Sequence, residues 1–214
     1  MKYQVVSFFT PEDKEKIRIG DYYYKDDTLS HEYTNEKECI GVVFSVCVGT
    51  EEKEQYPHGY VVALNDVTIS SNSLYLWYNR EKGGNETSMQ CPNMDFITKL
   101  LIEDKGGYFY SKSIPEDDDK YEAIHAARNY PVELSENRTS GWYLPSSGQM
   151  YEIAHRFIDK KEYEKQSYLL NLSGKYMVSQ LNDEICPLYI DMRNLKFKYG
   201  KPEEGFLVRT IFSF

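Results

Sequence analysis

The chain has 214 residues with 25 Lys and Arg against 34 Asp and Glu, a formal net charge of −9. Its long-range field therefore repels phosphate backbones and anionic membrane surfaces, which argues against a nucleic-acid partner. With 41% hydrophobic and 28% charged residues the chain has the composition of a globular protein able to bury a core. No run approaches the roughly 18 apolar residues of a membrane helix, so no transmembrane segment is expected.

Residues 1–16, MKYQVVSFFTPEDKEK, lack the apolar stretch and small-residue cleavage site of a secretion signal and read as an N-terminal extension. The domain proper is expected over 17–214. Short β-prone runs follow at 17–24 (IRIGDYYY), 40–48 (IGVVFSVCV), 60–64 (YVVAL) and 74–78 (LYLWY), with polar turns between them. The run at 40–48 is continuous enough to be a buried central strand. Residues 81–87, with Gly83-Gly84, read as an exposed loop.

Helical spacing begins in the middle of the chain. Phe96, Ile97, Leu100 and Leu101 share a stripe behind a possible Asn93 cap, ending at Gly106-Gly107. Tyr121, Ile124 and Ala127 mark a second helix, closed near Asn129 because Pro131 restricts Tyr130. The third is the clearest. Ser146 and Gln149 form a capping box, and Met150, Ile153, Ala154, Phe157 and Ile158 continue as a core-facing stripe.

Strand patterns return at 175–180, 187–191, 195–199 and 206–212, with turns at Asn182-Asp183, Arg193-Asn194 and Gly200-Lys201-Pro202. Strands, then helices, then strands predict a single α+β domain, with a mixed or antiparallel sheet, two to three packed helices and long loops.

The chemistry-bearing motifs are mostly missing. There is no dinucleotide fingerprint, P-loop, nucleophile elbow or zincin helix, and no Cys-x-x-Cys. His31, His58, His125 and His155 stand far apart in sequence. Cys39 and Cys47 would lie roughly 26 Å apart along one strand, too far to bond. Cys91 and Cys186 could meet only through the fold, and four reduced, mostly buried thiols are the plain reading. The acidic run Glu116-Asp117-Asp118-Asp119 lacks the alternating ligands of a calcium loop and reads as a solvated lead into a helix. No cofactor, no metal and no enzymatic activity are expected. The Asn85, Asn137 and Asn171 sequons matter only where a host glycosylates them.

Twenty tyrosines are the departure from average composition, and tyrosine suits both strands and binding surfaces. The segment GWYLPSSGQM at 141–150 combines a glycine turn, an aromatic pair, a proline and a helix cap. Together with IGDYYYKDDTLS at 19–30, CIGVVFSV at 39–46, HGYVVALND at 58–66 and FLVRTIFSF at 206–214, it resembles the Lcl C-terminal domain family. More closely, it resembles the form found in fimbrillin-like and other exported proteins of Bacteroides-type gut bacteria, and the resemblance runs over 17–214.

The resemblance implies a C-type-lectin-like fold, with N- and C-terminal strands paired and a long irregular loop region carrying ligand contacts. It also implies export to the cell surface or beyond, with the leader lying outside this sequence. Where relatives show a YWSSTE-like segment, this chain has Tyr176-Met177-Val178-Ser179-Gln180. Calcium-dependent sugar binding is not implied, because Leu181-Asn182-Asp183 and Cys91-Pro92-Asn93 are poor echoes of the lectin motifs. The candidate ligand contacts are Tyr108, Tyr110, Tyr176, Ser179, Asn182 and Asp183.

The expected function is a non-enzymatic secreted or cell-surface module whose partner is a glycan or a host or bacterial surface protein. The alternatives are a structural subunit of a surface fibre and, less favoured, an enzyme of the formylglycine-generating type. That last chemistry needs a late cysteine pair, whereas the C-terminal half holds Cys186 alone. Thermal melting should be indifferent to EDTA; a drop of several degrees, restored by calcium, would contradict the absence of a structural metal.

Overall fold

In the computed structural model, residues 17–50, 52–69, 73–78, 95–96, 99–158, 161–180, 186–201 and 203–214 are described. The elements in chain order are β1 (Tyr22–Tyr24), β2 (Leu29–Ser30), β3 (Cys39–Ser45), β4 (Tyr60–Ala63) and β5 (Asp95–Phe96). Helices α1 (Lys99–Glu103), α2 (Gly107–Ser113), α3 (Glu122–Arg128), α4 (Ser147–Phe157) and α5 (Glu164–Leu170) follow, then β6 (Lys175–Met177), β7 (Leu188–Asp191), β8 (Lys196–Tyr199) and β9 (Ile211–Ser213). The expected N-terminal extension, the loop at 81–87, the Asn93 cap and the Asn182-Asp183 turn lie outside the described residues.

The strands form two sheets, ordered β2-β1-β3-β4-β9 and β5-β8-β7-β6, and every pairing between named strands is antiparallel. This is the expected α+β class in a single compact domain, with two sheets and five α-helices among the described residues where one sheet and two to three helices were expected. The first sheet is buried on both faces. Tyr22, Tyr24, Val42, Phe44, Tyr60, Val62 and Ile211 point into one cluster, and their alternating neighbours Tyr23, Val43, Val61, Ala63 and Phe212 point into another. Antiparallel sheets often leave one face wet. Here both are covered, which is why the strands read as unbroken apolar runs rather than as alternation.

Helix α4 lies between the sheets. Its Met150, Ile153, Ala154 and Phe157 are buried against Val42, Phe44 and Val62 of the first sheet and against Tyr176, Leu188, Ile190 and Phe197 of the second. Ser146 caps it with the reciprocal box read from the sequence: the Gln149 N–H donates to Ser146 Oγ at 3.4 Å, and the Ser146 N–H donates to Gln149 Oε1 at 2.9 Å. A third cluster packs α3, through Ala123, Ile124 and Ala127, against Trp77, Leu144, Tyr189, Phe206 and Val208.

Four expectations are corrected. The C-terminal strand β9 pairs with β4, with Val61 opposite Phe212, and not with the N-terminal strand, because β3 and β4 lie between them. The two ends still meet through their rings. Tyr23 of β1 contacts Phe212 at 5.0 Å and Phe214 at 5.2 Å, the long rings reaching across the face of the sheet between them.

The helix expected around Phe96 to Leu101 is broken. Asp95 and Phe96 pair with Lys198 and Phe197 as β5, and the helix proper begins at Lys99. Strand pairing overrides local helical spacing, and Leu100 of the predicted stripe is 81% exposed. Gly106-Gly107 does not end structure either, since α2 starts there and carries Tyr108, Phe109 and Tyr110 in helical form. The run at 74–78 is no regular strand; only Tyr75 forms a bridge, to Phe206. Helix α5 and the short β2 had no clear sequence signal.

Trp142 is 7% exposed, as expected. Its ring meets Phe212 edge-on at 4.8 Å and Tyr130 at 5.0 Å, and its Nε1–H donates to the Val132 carbonyl at 2.6 Å. Trp142→Ala should therefore cost about 3–5 kcal/mol by denaturant unfolding, the usual loss for a large core aromatic; a loss below about 1 kcal/mol would show that the ring is not part of the core.

Candidate functional site

Of the six residues singled out from the sequence, four are described, and two of those four are fully buried. Tyr176 on β6 is fully buried; its hydroxyl donates to Asp66 Oδ2 at 3.1 Å and its ring lies 5.9 Å from the Arg209 guanidinium. Ser179 is also fully buried, its N–H donating to the Pro145 carbonyl at 2.8 Å. Neither has surface to offer a ligand. Tyr108 and Tyr110 sit on α2, half-buried. Tyr108 packs against Tyr143 at 5.6 Å, while the Tyr110 hydroxyl donates to Asp104 Oδ2 at 3.2 Å. The same Asp104 oxygen accepts from Gln180 Nε2 at 2.5 Å, so the 179–180 segment and α2 do meet there. Asn182 and Asp183 lie outside the described residues.

The buried charges are committed to internal bonds. Arg209 is 2% exposed. Its Nε donates to Asp66 Oδ1 at 2.7 Å, Nη1 to the Ala63 and Leu64 carbonyls, and Nη2 to the Leu170 carbonyl at 3.0 Å. Glu52, 1% exposed, accepts from Tyr60 Oη at 2.8 Å, Tyr143 Oη at 2.7 Å and Ser213 Oγ at 2.9 Å. Burial pushes the Glu52 carboxyl above its ordinary value, and the three hydroxyl donors pull it partly back. The phenols of Tyr60 and Tyr143 are pushed up in turn, first by burial and then by the facing carboxylate. This buried cluster ties Glu52 to Tyr60 of β4, Ser213 of β9 and Tyr143.

Among the described residues, no three His, Cys, Asp or Glu side chains come together in a way that could hold a metal ion. Cys39 and Cys47 are free, and burial pushes the Cys39 thiol up to about 12. Cys186 is disulfide-bonded, which corrects the reading of four reduced thiols; Cys91 lies outside the described residues.

Two concave surfaces stand out among the described residues. One, of about 240 Å³, is lined by Ile69, Tyr75, Asp119, Glu122, His125, Ala126 and Asn129 and lies beside α3. Asp119 there is the end of the acidic run. The other is a groove of about 440 Å³ between β1, the loop after β2 and helix α5, lined by Tyr22, Tyr33, Glu164, Lys165, Tyr168 and Leu169. Its tyrosines differ sharply in exposure, at 3% for Tyr22, 52% for Tyr33 and 89% for Tyr168. Tyr33 stands edge-on to Tyr22 with centroids 5.4 Å apart. Tyr22 belongs to a triplet visible in the sequence, but Tyr33 and Tyr168 lie in polar surroundings with nothing local to single them out.

No family model matches the chain, and no curated protein matches it. Among solved structures the fold is similar to that of a fimbrial protein from Bacteroides ovatus ATCC 8483, with a TM-score of 0.58 and 16% identity. The superposition covers 92% of this chain and 49% of that one, so this chain spans about half the length of the fimbrial protein. At this identity the likeness is one of fold. No described helix is long and apolar enough to cross a membrane.

The Glu52 cluster sets a pH dependence whose sign follows from its burial. The folded carboxyl titrates above the ordinary glutamate value of 4.5, so between these two values the folded chain holds more protons than the unfolded one. The protonated carboxyl's contribution to stability is complete below 4.5 and is lost as pH rises through the folded value. Melting temperature compared between wild type and Glu52→Gln should show a gap that shifts in favour of the variant as pH rises through this range. A gap independent of pH would refute the burial argument.

Proposed function

We propose that this chain is a non-enzymatic module of a surface fibre, exported and displayed outside the cell. The observation that carries the reading is the fold shared with a fimbrial protein over 92% of the chain. Two features support it. The well-buried charges Glu52, Arg209 and Asp191 are engaged in internal bonds rather than lining a cleft, as suits a scaffold rather than a catalyst. The first sheet is shielded at its β9 edge, where Ser140 and Tyr143 bond to Ser213 and Ile211, which protects a secreted strand protein from uncontrolled edge pairing.

The Lcl-type and lectin-like kinship belongs to the same proposal. It is supported by the placement of β1 and β9 in one sheet with α4 packed against it, although β9 takes β4 rather than β1 as its neighbour. On this reading the partners are other fibre subunits and, at an exposed surface, a glycan or a host or bacterial protein.

The test is mechanical shearing of intact cells of the source organism, followed by immunoblotting and immunogold microscopy with antibody to this chain. The expected result is recovery in the sheared filament fraction and gold along surface filaments. Recovery in the cytoplasmic fraction alone would overturn the reading.

A further inference from the structure

We propose that the groove between β1, the loop after β2 and helix α5 is the docking site for this chain's own residues 1–9, MKYQVVSFF. This goes beyond the fibre reading, since a subunit can assemble whether or not its first residues cover one of its grooves.

The groove is apolar surface that the described residues leave open. Tyr22, Tyr33, Tyr168 and Leu169 supply rings and an alkyl side chain to its walls, and Glu164 and Lys165 are its charged members. In the core the tyrosine hydroxyls are spent on carboxylates, as at Tyr23, Tyr60, Tyr143 and Tyr176, whereas the rings of Tyr33 and Tyr168 stand exposed around one concavity. Covering them with apolar side chains returns burial that water forgoes.

Composition, position and charge select the occupant. Among the longer stretches outside the described residues, 79–94 (NREKGGNETSMQCPNM) and 181–185 (LNDEI) are mostly polar, whereas six of residues 1–9 are Met, Tyr, Val or Phe. The described chain starts at Ile17, and three residues later Gly20 lies against α5. Its carbonyl accepts from Gln166 Nε2 at 2.9 Å, and an added Cβ would stand 3.1 Å from the Tyr163 ring. Residues 10–16, seven in number, can span up to roughly 25 Å, and the seven-residue α5 is only about 10 Å long. Phe8 and Phe9 therefore reach the groove from the entry point of their own chain. A stretch tethered this closely has an effective concentration in the millimolar range, so it fills even a weak site ahead of a second copy in dilute solution. Lys2 is the one charged side chain of residues 1–9, and Glu164 on the groove wall is its counter-charge.

The test uses the full chain. With Phe8 or Phe9 replaced by p-benzoylphenylalanine, illumination should cross-link that position within one chain to residue 33 or to residues 164–169, read by peptide mapping. Amide hydrogen exchange in α5 should speed up by roughly tenfold in a Phe8→Asp, Phe9→Asp double variant, the size expected for one lost aromatic contact. A Phe8→Leu, Phe9→Leu variant keeps apolar bulk and should keep the protection. Tyr168→Asp, at an exposed position, should abolish the cross-link, and circular dichroism and melting verify that each variant folds. Cross-links found only between chains would assign the groove to a second copy and overturn the proposal. No cross-link, cross-links elsewhere on the surface, or α5 exchange unchanged by the double aspartate variant would overturn it as well. Filament recovery in the shearing experiment is independent of each of these outcomes, so the two readings fail separately.

Discussion

The corner at residues 141–149 is the constraint on which the other elements depend. Gly141 turns the chain with φ +73°, and within the next eight residues the backbone and side chains reach both sheets and three helices. The Tyr143 backbone exchanges hydrogen bonds with Ile211 at the edge of the first sheet, and the Pro145 carbonyl accepts from Ser179 beyond the second. Ser146 Oγ and Ser147 Oγ donate to the Asp104 and Leu101 carbonyls at 2.7 Å each, satisfying groups that the end of α1 would otherwise leave bare. The approach is so close that a Cβ on Gly148 would lie 2.2 Å from the Asp104 oxygen. Gln149 then serves twice, closing the cap on Ser146 and donating to the Tyr143 hydroxyl at 3.3 Å. That hydroxyl is itself bound to Glu52. A helix cap worth about 1 kcal/mol in isolation is here joined to the clasp that holds the sheet.

Part of the tyrosine excess follows from the doubly buried sheet, which takes Tyr22, Tyr23, Tyr24 and Tyr60. A sheet covered on both faces needs large apolar side chains on both sides, and a phenol supplies the ring while requiring a partner for its hydroxyl. The chain meets that need with acids placed inside the fold: Asp27 for Tyr23, Glu52 for Tyr60 and Tyr143, and Asp66 for Tyr176. Some of the acidic surplus is therefore structural. The same accounting isolates the groove, because Tyr33 and Tyr168 stand outside this scheme of ring burial.

Fold and function rest on different observations. The likeness to a fimbrial protein concerns backbone arrangement, and one arrangement can host unrelated activities. The surface-fibre reading takes its support from that arrangement and not from any particular side chain.

Several features were legible in the sequence because they depend on neighbours in the chain. The capping box of Ser146 and Gln149, the stripe from Met150 to Phe157, the burial of Trp142 and the central strand at Cys39–Ser45 are set by spacing and local hydrogen bonding, and the structure shows each of them. What failed depended on distant partners. Asp95 and Phe96 left their helical pattern because β8 offered strand pairing. The run at 74–78 met only Phe206, and β9 took β4 rather than β1. The candidate residues Tyr176 and Ser179 were placed by resemblance, but the fold turned them inward beside Asp66 and Pro145. Nor could spacing reveal that Tyr22, Tyr33 and Tyr168 share one groove. Local hydrogen bonds and periodicity are written along the chain, whereas which rings are left facing water is decided only when sheets and helices have taken up their shared volume.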